Sequence, residues 1–329
     1  MNRSEQIPIL PYSLLVGQEQ LRLALELAYI SPSIGGVLIT GERGTGKSTA
    51  VRAFAQMIYN RLPVTLPINA TEDRVVGGWY IDKLINLSLL QQPDGTEQAK
   101  QPGLIEKADQ GLLFIDEVNL LDDHIVNIIL DVTATGILTI EREARSEEKR
   151  VAFTLVGTMN PEEGWLRQQL LDRFGLIVSV TAETDEQKRT QILKTVIDFD
   201  RAVRQSRITQ NPTPYLAFIA DAQQKNTDKR SQLETARQSV DEVEFPDAMT
   251  ELCVKVAKAF KVVGHRADYI MALAARAYAA LEGDRIVAKH HLQTVAPLAV
   301  THRRQEETVR GQTLWTTEDD EMLHECLGL

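Results

Sequence analysis

The sequence has only two cysteines in 329 residues, Cys253 and Cys326, and they lie far apart along the chain. Two separated thiols cannot build a disulfide framework or a cysteine zinc site, so a reducing compartment fits. The chain also lacks any apolar run near the ~20 residues of a membrane helix. Its first residues, MNRSEQIPILPYS, show no leader pattern. These absences predict a cytoplasmic protein, or a mature form that has lost a leader.

Positive charge is also scarce, since 36 Lys and Arg face 46 Asp and Glu and leave a net charge of -10. A surface that binds nucleic acid usually carries an excess of positive charge, so nucleic acid is an unlikely partner. With 43% hydrophobic and 25% charged residues, the composition is typical of a globular protein of about two domains.

Short apolar runs alternate with helical stretches between about residues 17 and 180. The run VLIT precedes a helical stretch that starts near Lys47, and the later runs are LLFID, FTLVGTMN and LIVSV. Strands separated by helices predict an α/β fold with a parallel sheet covered by helices on both faces. We assign this domain to residues 1–183.

The remainder of the chain is predicted to be helical. Residues 184–244 are polar and are interrupted by Pro212 and Pro214, which predicts a connector of two polar helices. From Phe245 apolar residues return at helical spacing and predict a small all-helical domain to about residue 305. The last twenty residues contain a helix-like end, DDEMLHECLGL, without an assigned role, and we group them with this domain as residues 245–329.

A phosphate-binding loop is predicted at GERGTGKST, which matches the pattern G-x-x-x-x-G-K-[ST]. Glycines let backbone N–H groups surround a phosphate at a helix N-terminus, Lys47 would reach the β and γ phosphates, and the Ser48 hydroxyl would bind Mg²⁺. The strand before the loop and the helix after it argue against an incidental glycine-rich turn. The expected nucleotide-binding residues here are Gly41, Gly44, Thr45, Gly46, Lys47, Ser48 and Thr49.

Polar side chains follow two of the predicted strands. Asp116 and Glu117 end LLFIDE, and Asn160 ends FTLVGTMN. The carboxyl ends of strands in a nucleotide-binding sheet face the ligand. Asp116 would therefore help to hold Mg²⁺, Glu117 would activate the attacking water, and Asn160 would contact the γ-phosphate or that water.

Two arginines, Arg173 in LLDRFG and Arg266 in VVGHRADY, have side chains suited to stabilising charge on a transferred phosphoryl group. For either arginine alone, a surface ion pair remains the more common explanation.

His290, His291 and His302 are the candidates for a further metal site. Adjacent helical residues point about 100° apart, which suits one ion poorly, so we expect these histidines to be solvated helix residues.

The order of these motifs resembles the AAA+ ATPases of the magnesium-chelatase small-subunit group, which are related to the MoxR-type ATPases. The resemblance covers about residues 8–305. It rests on VGQEQLRLAL, GGVLITGERGTGKST, ATEDRVVG, PGLIEKADQGLLFIDEVNLLDDHIV, IERE, LVGTMNPEEGWLRQQLLDRFGL, HRADY and APLAVTHRR.

The resemblance implies ATP and Mg²⁺ as ligands, Asn160 as the first sensor, Arg173 as an arginine finger acting in trans, and Arg266 as the sensor arginine of a helical lid. It also implies a helix-2 insert at about 77–101 and a β-hairpin at about 136–153. The implied partners are further copies in a hexameric ring, an AAA+ protein with an integrin-like domain, and a large catalytic chelatase subunit. The metal-binding motif D-x-S-x-S of that integrin-like domain is missing from this chain.

Three functions follow. The first is a motor ATPase that drives metal insertion into a porphyrin by a separate subunit. The second is a MoxR-like remodelling ATPase that works with an integrin-domain partner. The third, a DNA-associated ATPase, fits the acidic net charge least well.

Overall fold

The computed structural model describes residues 8–79, 100–142, 145–208, 214–304 and 315–329. Its centre is a five-stranded sheet in which all paired strands run parallel, in the spatial order Val64–Leu66, Gly111–Ile115, Phe153–Met159, Val37–Thr40 and Leu176–Ser179. The predicted parallel α/β sheet is therefore confirmed. The strands of the sheet are β1 (Val37–Thr40), β2 (Val64–Leu66), β5 (Gly111–Ile115), β8 (Phe153–Met159) and β9 (Leu176–Ser179).

Helices cover both faces of the sheet because neighbouring strand residues enter different cores. Val37 and Ile39 lie in one apolar cluster with α1 and α2, whereas Leu38 lies in a second cluster with α5. This burial on both faces explains why the strands are continuously apolar. The helices of this domain are α1 (Glu19–Ile30), α2 (Lys47–Tyr59), α3 (Glu72–Val76), α4 (Leu104–Ala108), α5 (Asp123–Thr135) and α6 (Gln168–Leu171).

Two small antiparallel pairs lie outside the sheet. Strands β3 (Gly77–Trp79) and β4 (Lys100–Pro102) pair at the two ends of the expected helix-2 insert, whose residues 80–99 lie outside the described residues. Strands β6 (Ile137–Arg142) and β7 (Arg145–Arg150) pair within the range expected for the hairpin.

Two helices occupy the polar segment, α7 (Glu186–Ile208) and α8 (Pro214–Ser239). Helix α8 packs against α1, where the buried carboxylate of Glu26 accepts a hydrogen bond from the Tyr12 hydroxyl at 2.9 Å and lies 2.9 Å from the Lys229 ammonium. Burying a carboxylate is costly unless it is paired and hydrogen-bonded. The contact therefore fixes α8 on the first domain.

The last helices form one cluster: α9 (Asp247–Ala259), α10 (Arg266–Glu282), α11 (Lys289–Val300) and α12 (Thr317–Leu327). Helix α12 contains the C-terminal residues that the sequence left unassigned. Its Leu323, Cys326 and Leu327 are buried, and the carbonyl of Cys326 accepts a hydrogen bond from Lys255 of α9 at 2.9 Å. Helix α12 is thus packed as part of the helical domain. Within the described ranges, no helix is both long and apolar enough to cross a bilayer.

Candidate nucleotide site

The loop between β1 and α2 depends on glycine at its first position. Gly41 has φ +142°, and a Cβ there would lie 2.0 Å from the carbonyl oxygen of Val180. Gly44 and Gly46 also have positive φ values of +80° and +83°. These conformations strain other residues, so the glycines of GERGTGKST are required for the loop to close over the N-terminus of α2.

Lys47 lies over this loop. Its ammonium donates hydrogen bonds to the carbonyl oxygens of Gly41 and Glu42, both at 2.6 Å. Partial burial lowers the pKa of Lys47, while the nearby charges of Asp116 and Glu117 act in the opposite direction. The arrangement brings one cation and two carboxylates together beside the loop, as the sequence motifs predict.

Strand register explains how distant motifs meet. Thr40 of β1 is opposite Met159 of β8, and Ile115 of β5 is opposite Gly157 of β8. The residues that follow these strands therefore emerge at the same edge of the sheet. The phosphate loop, Asp116 and Asn160 share the carboxyl edge, where ligands of open α/β sheets bind.

Thr158 links the two acids, and sequence analysis missed it. Its hydroxyl donates to Asp116 at 2.6 Å and accepts from the backbone N–H of Glu117 at 3.0 Å. The side chain is buried and uses both its donor and its acceptor. A polar residue in the apolar strand FTLVGTM, one residue before its end, was the signal that could have revealed it.

Glu117 is held in an unusual conformation, with φ 56° and ψ 58°. Non-glycine residues rarely adopt this left-handed region, and such strain often occurs at functional sites. Its carboxylate lies 3.3 Å from the guanidinium of Arg43, which also pairs with Glu163. Arg43 belongs to the phosphate loop, so in this conformation the loop itself restrains the proposed base.

Asn160 is buried, and its side-chain oxygen accepts a hydrogen bond from the N–H of Glu162 at 3.3 Å. It thus caps the short 3₁₀ turn Pro161–Glu163 while lying directly after β8. Asn-Pro is a common start of a turn, and the cap agrees with that structural role. The position directly after β8 is also compatible with the predicted contact to the γ-phosphate.

Arg173 and Arg266 lie at the other edge of the sheet. The N–H groups of Gly175 and Leu176 donate to the carbonyl of Gly36, at the start of β1. Five residues of extended chain, about 16 Å, separate Gly36 from Gly41. An arginine side chain does not span that distance, so Arg173 is directed away from the phosphate loop of its own chain.

The guanidinium of Arg173 contacts α5, with Asp131 at 2.8 Å and Asn127 at 3.2 Å. Arg266 is the first residue of α10 and donates to the backbone carbonyl of Arg173 at 2.7 Å. The structure therefore brings the two arginines to each other, and brings neither of them to Lys47 of the same chain.

Comparison with known proteins agrees with this architecture. A family model for an AAA domain of the dynein-related subfamily matches residues 36–174, and one for an AAA lid domain matches residues 250–325. The magnesium-chelatase 38 kDa subunit of Rhodobacter capsulatus is 38% identical over 328 residues, covering 90% of this chain and 88% of that protein. The chain belongs to the AAA+ ATPases of the magnesium-chelatase small-subunit group.

Two further matches extend the comparison. The uncharacterized protein Rv2850c of Mycobacterium tuberculosis is 40% identical over 325 residues, covering 97% of this chain, and this chain spans about half of it, 48%. A cryo-EM-based structure of the complex between subunits BchI and BchD of magnesium chelatase matches at 36% identity and a TM-score of 0.49, covering 94% of this chain and 100% of that one.

Family membership makes this chain an ATPase with an AAA domain and an AAA lid. The lid is tied to the AAA domain by Arg303, whose side chain is 1% exposed. Its guanidinium donates to the carbonyls of Phe174 at 2.5 Å, Gly175 at 3.1 Å and Ala299 at 2.5 Å. It also lies 3.1 Å from the carboxylate of Asp172. Arg303 therefore fixes the segment that contains Arg173 to the end of α11.

The histidines of this ATPase contradict the sequence prediction in two of three positions. His291 and His302 are buried, whereas His290 is exposed as expected. Burial lowers the pKa of His302 well below its usual value, and the charges of Arg303 and Arg266 lower it further. The prediction failed because helical spacing was considered without the tertiary contacts of α11.

Proposed function

We propose that this ATPase hydrolyses MgATP at a site that a neighbouring copy in a ring completes. The observation that carries the proposal is the division of the machinery between two edges of the sheet. The phosphate loop, Asp116, Glu117 and Asn160 occupy the carboxyl edge, while Arg173 and Arg266 lie beyond the start of β1. In this structure the chain's own Arg173 and Arg266 cannot reach the γ-phosphate of an ATP bound at its own phosphate loop.

The chemistry assigned to the carboxyl edge follows from its side chains. Backbone N–H groups of the loop and Lys47 would bind the phosphates, and Ser48 and Asp116 would hold the Mg²⁺, which neutralises phosphate charge when bound. Glu117 would orient a water molecule and take its proton. Asn160 would hydrogen-bond the γ-phosphate or that water through its amide.

The arginines would act on the adjacent subunit. Arg173 is 37% exposed and held by a carboxylate that is itself 62% exposed, so the pair is weak and can open when a phosphate is offered instead. Arg266 is attached to the backbone of Arg173, so a shift of the lid would move both groups together. This supports a finger and a sensor that both respond to the neighbour's nucleotide.

Mixing two inactive variants tests the arrangement. The Lys47→Ala variant should lose nucleotide binding at its own phosphate loop but keeps the Arg173 side chain. The Arg173→Ala variant keeps the nucleotide site and lacks the arginine that would act on the neighbouring subunit. Rings that contain both should regain ATPase activity wherever an intact pocket meets an intact finger. Arg167→Ala is the matched control, because Arg167 is 78% exposed and pairs only with Asp123 in the described structure. The control should keep near wild-type activity alone.

Absence of recovery, with mixed rings demonstrated by native mass spectrometry, would show that Arg173 acts within its own chain or only as an ion pair. Full activity of Arg173→Ala alone would also contradict the proposal. The ring size can be read from the same spectra, and we expect a hexamer by resemblance to the family.

We propose further that the ring drives metal insertion into a porphyrin by a separate large subunit, together with an AAA+ partner that carries an integrin-like domain. Support comes from the relatives named as magnesium-chelatase subunits. An exposed apolar face of α7, formed by Leu193, Val196 and Ile197, supplies a surface suited to such assembly.

Reconstitution tests the client. With the partner and the large subunit supplied, porphyrin metallation followed by fluorescence should require MgATP and should stop with Glu117→Gln. A ring that binds the integrin-domain partner but leaves the fluorescence unchanged would favour the MoxR-like remodelling function instead.

A further inference from the structure

Two carboxylates and two imidazoles converge at one end of the lid. Glu282 ends α10, Asp284 lies in the following turn, and His290 and His291 belong to the first turn of α11. One ligand atom from each residue lies within 4.8 Å of the others. The cluster lies at the opposite end of α10 from Arg266, about 24 Å along the helix axis. It is remote in sequence from the phosphate loop and from Arg173, and the ATPase chemistry does not use it.

The imidazole rings approach each other despite being adjacent in the helix. Their centroids are 3.8 Å apart, because both rings turn toward the end of α10. The Nε2 atom of His290 lies 3.2 Å from the carboxylate of Glu282, and that of His291 lies 3.1 Å from it. Adjacent residues point about 100° apart around the helix axis, which made a shared ion improbable from sequence. The side-chain rotamers nevertheless bring the two rings together.

The spacing of these atoms matches the coordination shell of a small cation. Ligands about 2.0–2.1 Å from zinc at tetrahedral angles are about 3.3–3.4 Å from one another. The Nε2 atom of His291 is 3.2 Å from Asp284, and that of His290 is 3.9 Å from it. Together with the 3.1 Å and 3.2 Å contacts to Glu282, these separations need only small adjustments.

His291 supplies an independent indication of a ligand. Its side chain is fully buried, with 0% exposure, and its Nε2 atom has no hydrogen-bond partner of acceptable geometry. The nearest carboxylate oxygens, of Glu282 at 3.1 Å and of Asp284 at 3.2 Å, are close to this nitrogen, but neither lies in line with its N–H. A buried polar atom without a partner is costly, and an ion between the oxygens would satisfy it.

A proton is the competitor for this position. The backbone N–H of Ala288 donates to Nδ1 of His291 at 2.9 Å, so the neutral ring carries its proton on Nε2. A metal ion must displace that proton to Nδ1, and the Ala288 contact must open. The loss of one hydrogen bond costs on the order of tenfold in affinity, less than a metal–imidazole bond contributes.

We propose that Glu282, Asp284, His290 and His291 bind one divalent transition-metal ion of the zinc type. Two imidazoles and two carboxylates suit zinc and its neighbours, whereas Mg²⁺ and Ca²⁺ prefer oxygen ligands alone. Four protein ligands leave no open position, so the site is structural. The ion would join the end of α10 to the start of α11 across the intervening turn.

The test is a zinc titration of the full chain, stripped with chelator and then held in excess Mg²⁺ to occupy Asp116 and its neighbours. A chromophoric chelator competes for zinc, and thermal denaturation is followed in parallel. We expect one tight equivalent per chain and a zinc-dependent rise in Tm. His290→Ala and Asp284→Asn should each weaken this equivalent at least tenfold and remove the rise in Tm.

Both variants change side chains that are about half exposed, so their zinc-free Tm should match the wild type. His324→Ala is the control, since His324 is an exposed histidine of α12 that contacts Gln293. The control should bind zinc like the wild type. The proposal is overturned if the wild type binds no zinc at micromolar concentration, or if His290→Ala binds it as tightly as the wild type.

Discussion

Replacing Arg303 by methionine should destabilise the protein and should also lower the ATPase activity, because Arg303 holds the segment that carries Arg173, the proposed finger. Methionine fills much of the same volume without a charge. The change removes the guanidinium donor from the carbonyls of Asp172, Gly175 and Ala299, and leaves the carbonyl of Phe174 with the His302 ring as its partner. Each unpaired buried acceptor costs about 1 kcal/mol or more, so we expect a loss of about 3–5 kcal/mol in the free energy of unfolding.

The ion pair with Asp172 adds little to this figure. The Asp172 side chain is 43% exposed, and solvent screens its interaction with Arg303. Burial lowers the pKa of Arg303 to about 10, against the favourable charge of Asp172, so the guanidinium stays charged at neutral pH. The hydrogen bonds to carbonyls therefore dominate the expected loss.

Arg304→Met is the matched control, because Arg304 is the next residue and its side chain is also nearly buried. Its contacts stay within the lid: it pairs with Asp319 at 2.8 Å and lies over the rings of Phe260 and Trp315. Urea denaturation should show a loss of stability for both variants. ATPase activity, measured well below either denaturation midpoint, should fall strongly only for Arg303→Met.

Mixing experiments distinguish a role of Arg303 in positioning Arg173 from a general loss of the folded structure. If Arg303 positions Arg173, Arg303→Met should bind ATP normally and regain activity when mixed with Lys47→Ala, as we also expect for Arg173→Ala. A loss of unfolding free energy below about 1 kcal/mol would refute the energetic reasoning. Equal ATPase losses in the Arg303 and Arg304 variants would refute the positioning role.

Three more predictions follow from the site. Thr158→Val should lower kcat for ATP about tenfold or more with little change in KM, because Asp116 and Glu117 lose their shared hydroxyl; an unchanged kcat would contradict this. Glu117→Gln should bind ATP and hydrolyse it at least about a hundredfold more slowly, as filter binding and phosphate release can show. His302→Gln should reduce acid sensitivity. The lowered pKa keeps folded His302 neutral, while the unfolded chain gains a proton below about pH 6.5. This contribution to the free energy of unfolding is therefore present above pH 6.5 and is progressively lost as the pH falls toward 5. Urea midpoints at pH 7.5 and 5 should differ less in the variant than in the wild type.

Sequence alone predicted the carboxyl edge of the sheet because its signals are local. The loop glycines are required by backbone conformation, and Asp116 and Asn160 follow apolar strands directly. Their meeting then follows from parallel pairing, which an alternating strand and helix pattern already implies. Thr158 was missed because a single hydroxyl in a buried strand is equally compatible with a structural bond, as Thr154 makes to Tyr59.

Contacts between the lid and the AAA domain could not be predicted in the same way. Arg303 and His302 occur in a polar run, THRR, that resembles a solvated helix end, and only the packing of α11 against β9 buries them. The same limitation affected His290 and His291, whose convergence depends on Glu282 at the end of the preceding helix. Helical periodicity specifies which face of a helix each residue occupies. It does not specify which residues of other elements that face contacts.

In the proposed ring, the segment that carries Arg173 would link the conformation of one subunit to the nucleotide of its neighbour. The segment from Asp172 to Gly175 is bound from the lid by Arg303 and by Arg266. It is also bound to the first residues of β1 by the carbonyl of Gly36. Arg303 and Arg266 donate five hydrogen bonds to this segment, whereas Gly36 accepts one from it. A lid that moves as one body would therefore carry the segment, because fewer hydrogen bonds are then broken. In the ring that we propose, lid movement would therefore displace Arg173 relative to the neighbour's γ-phosphate and would couple one subunit's conformation to hydrolysis in the next.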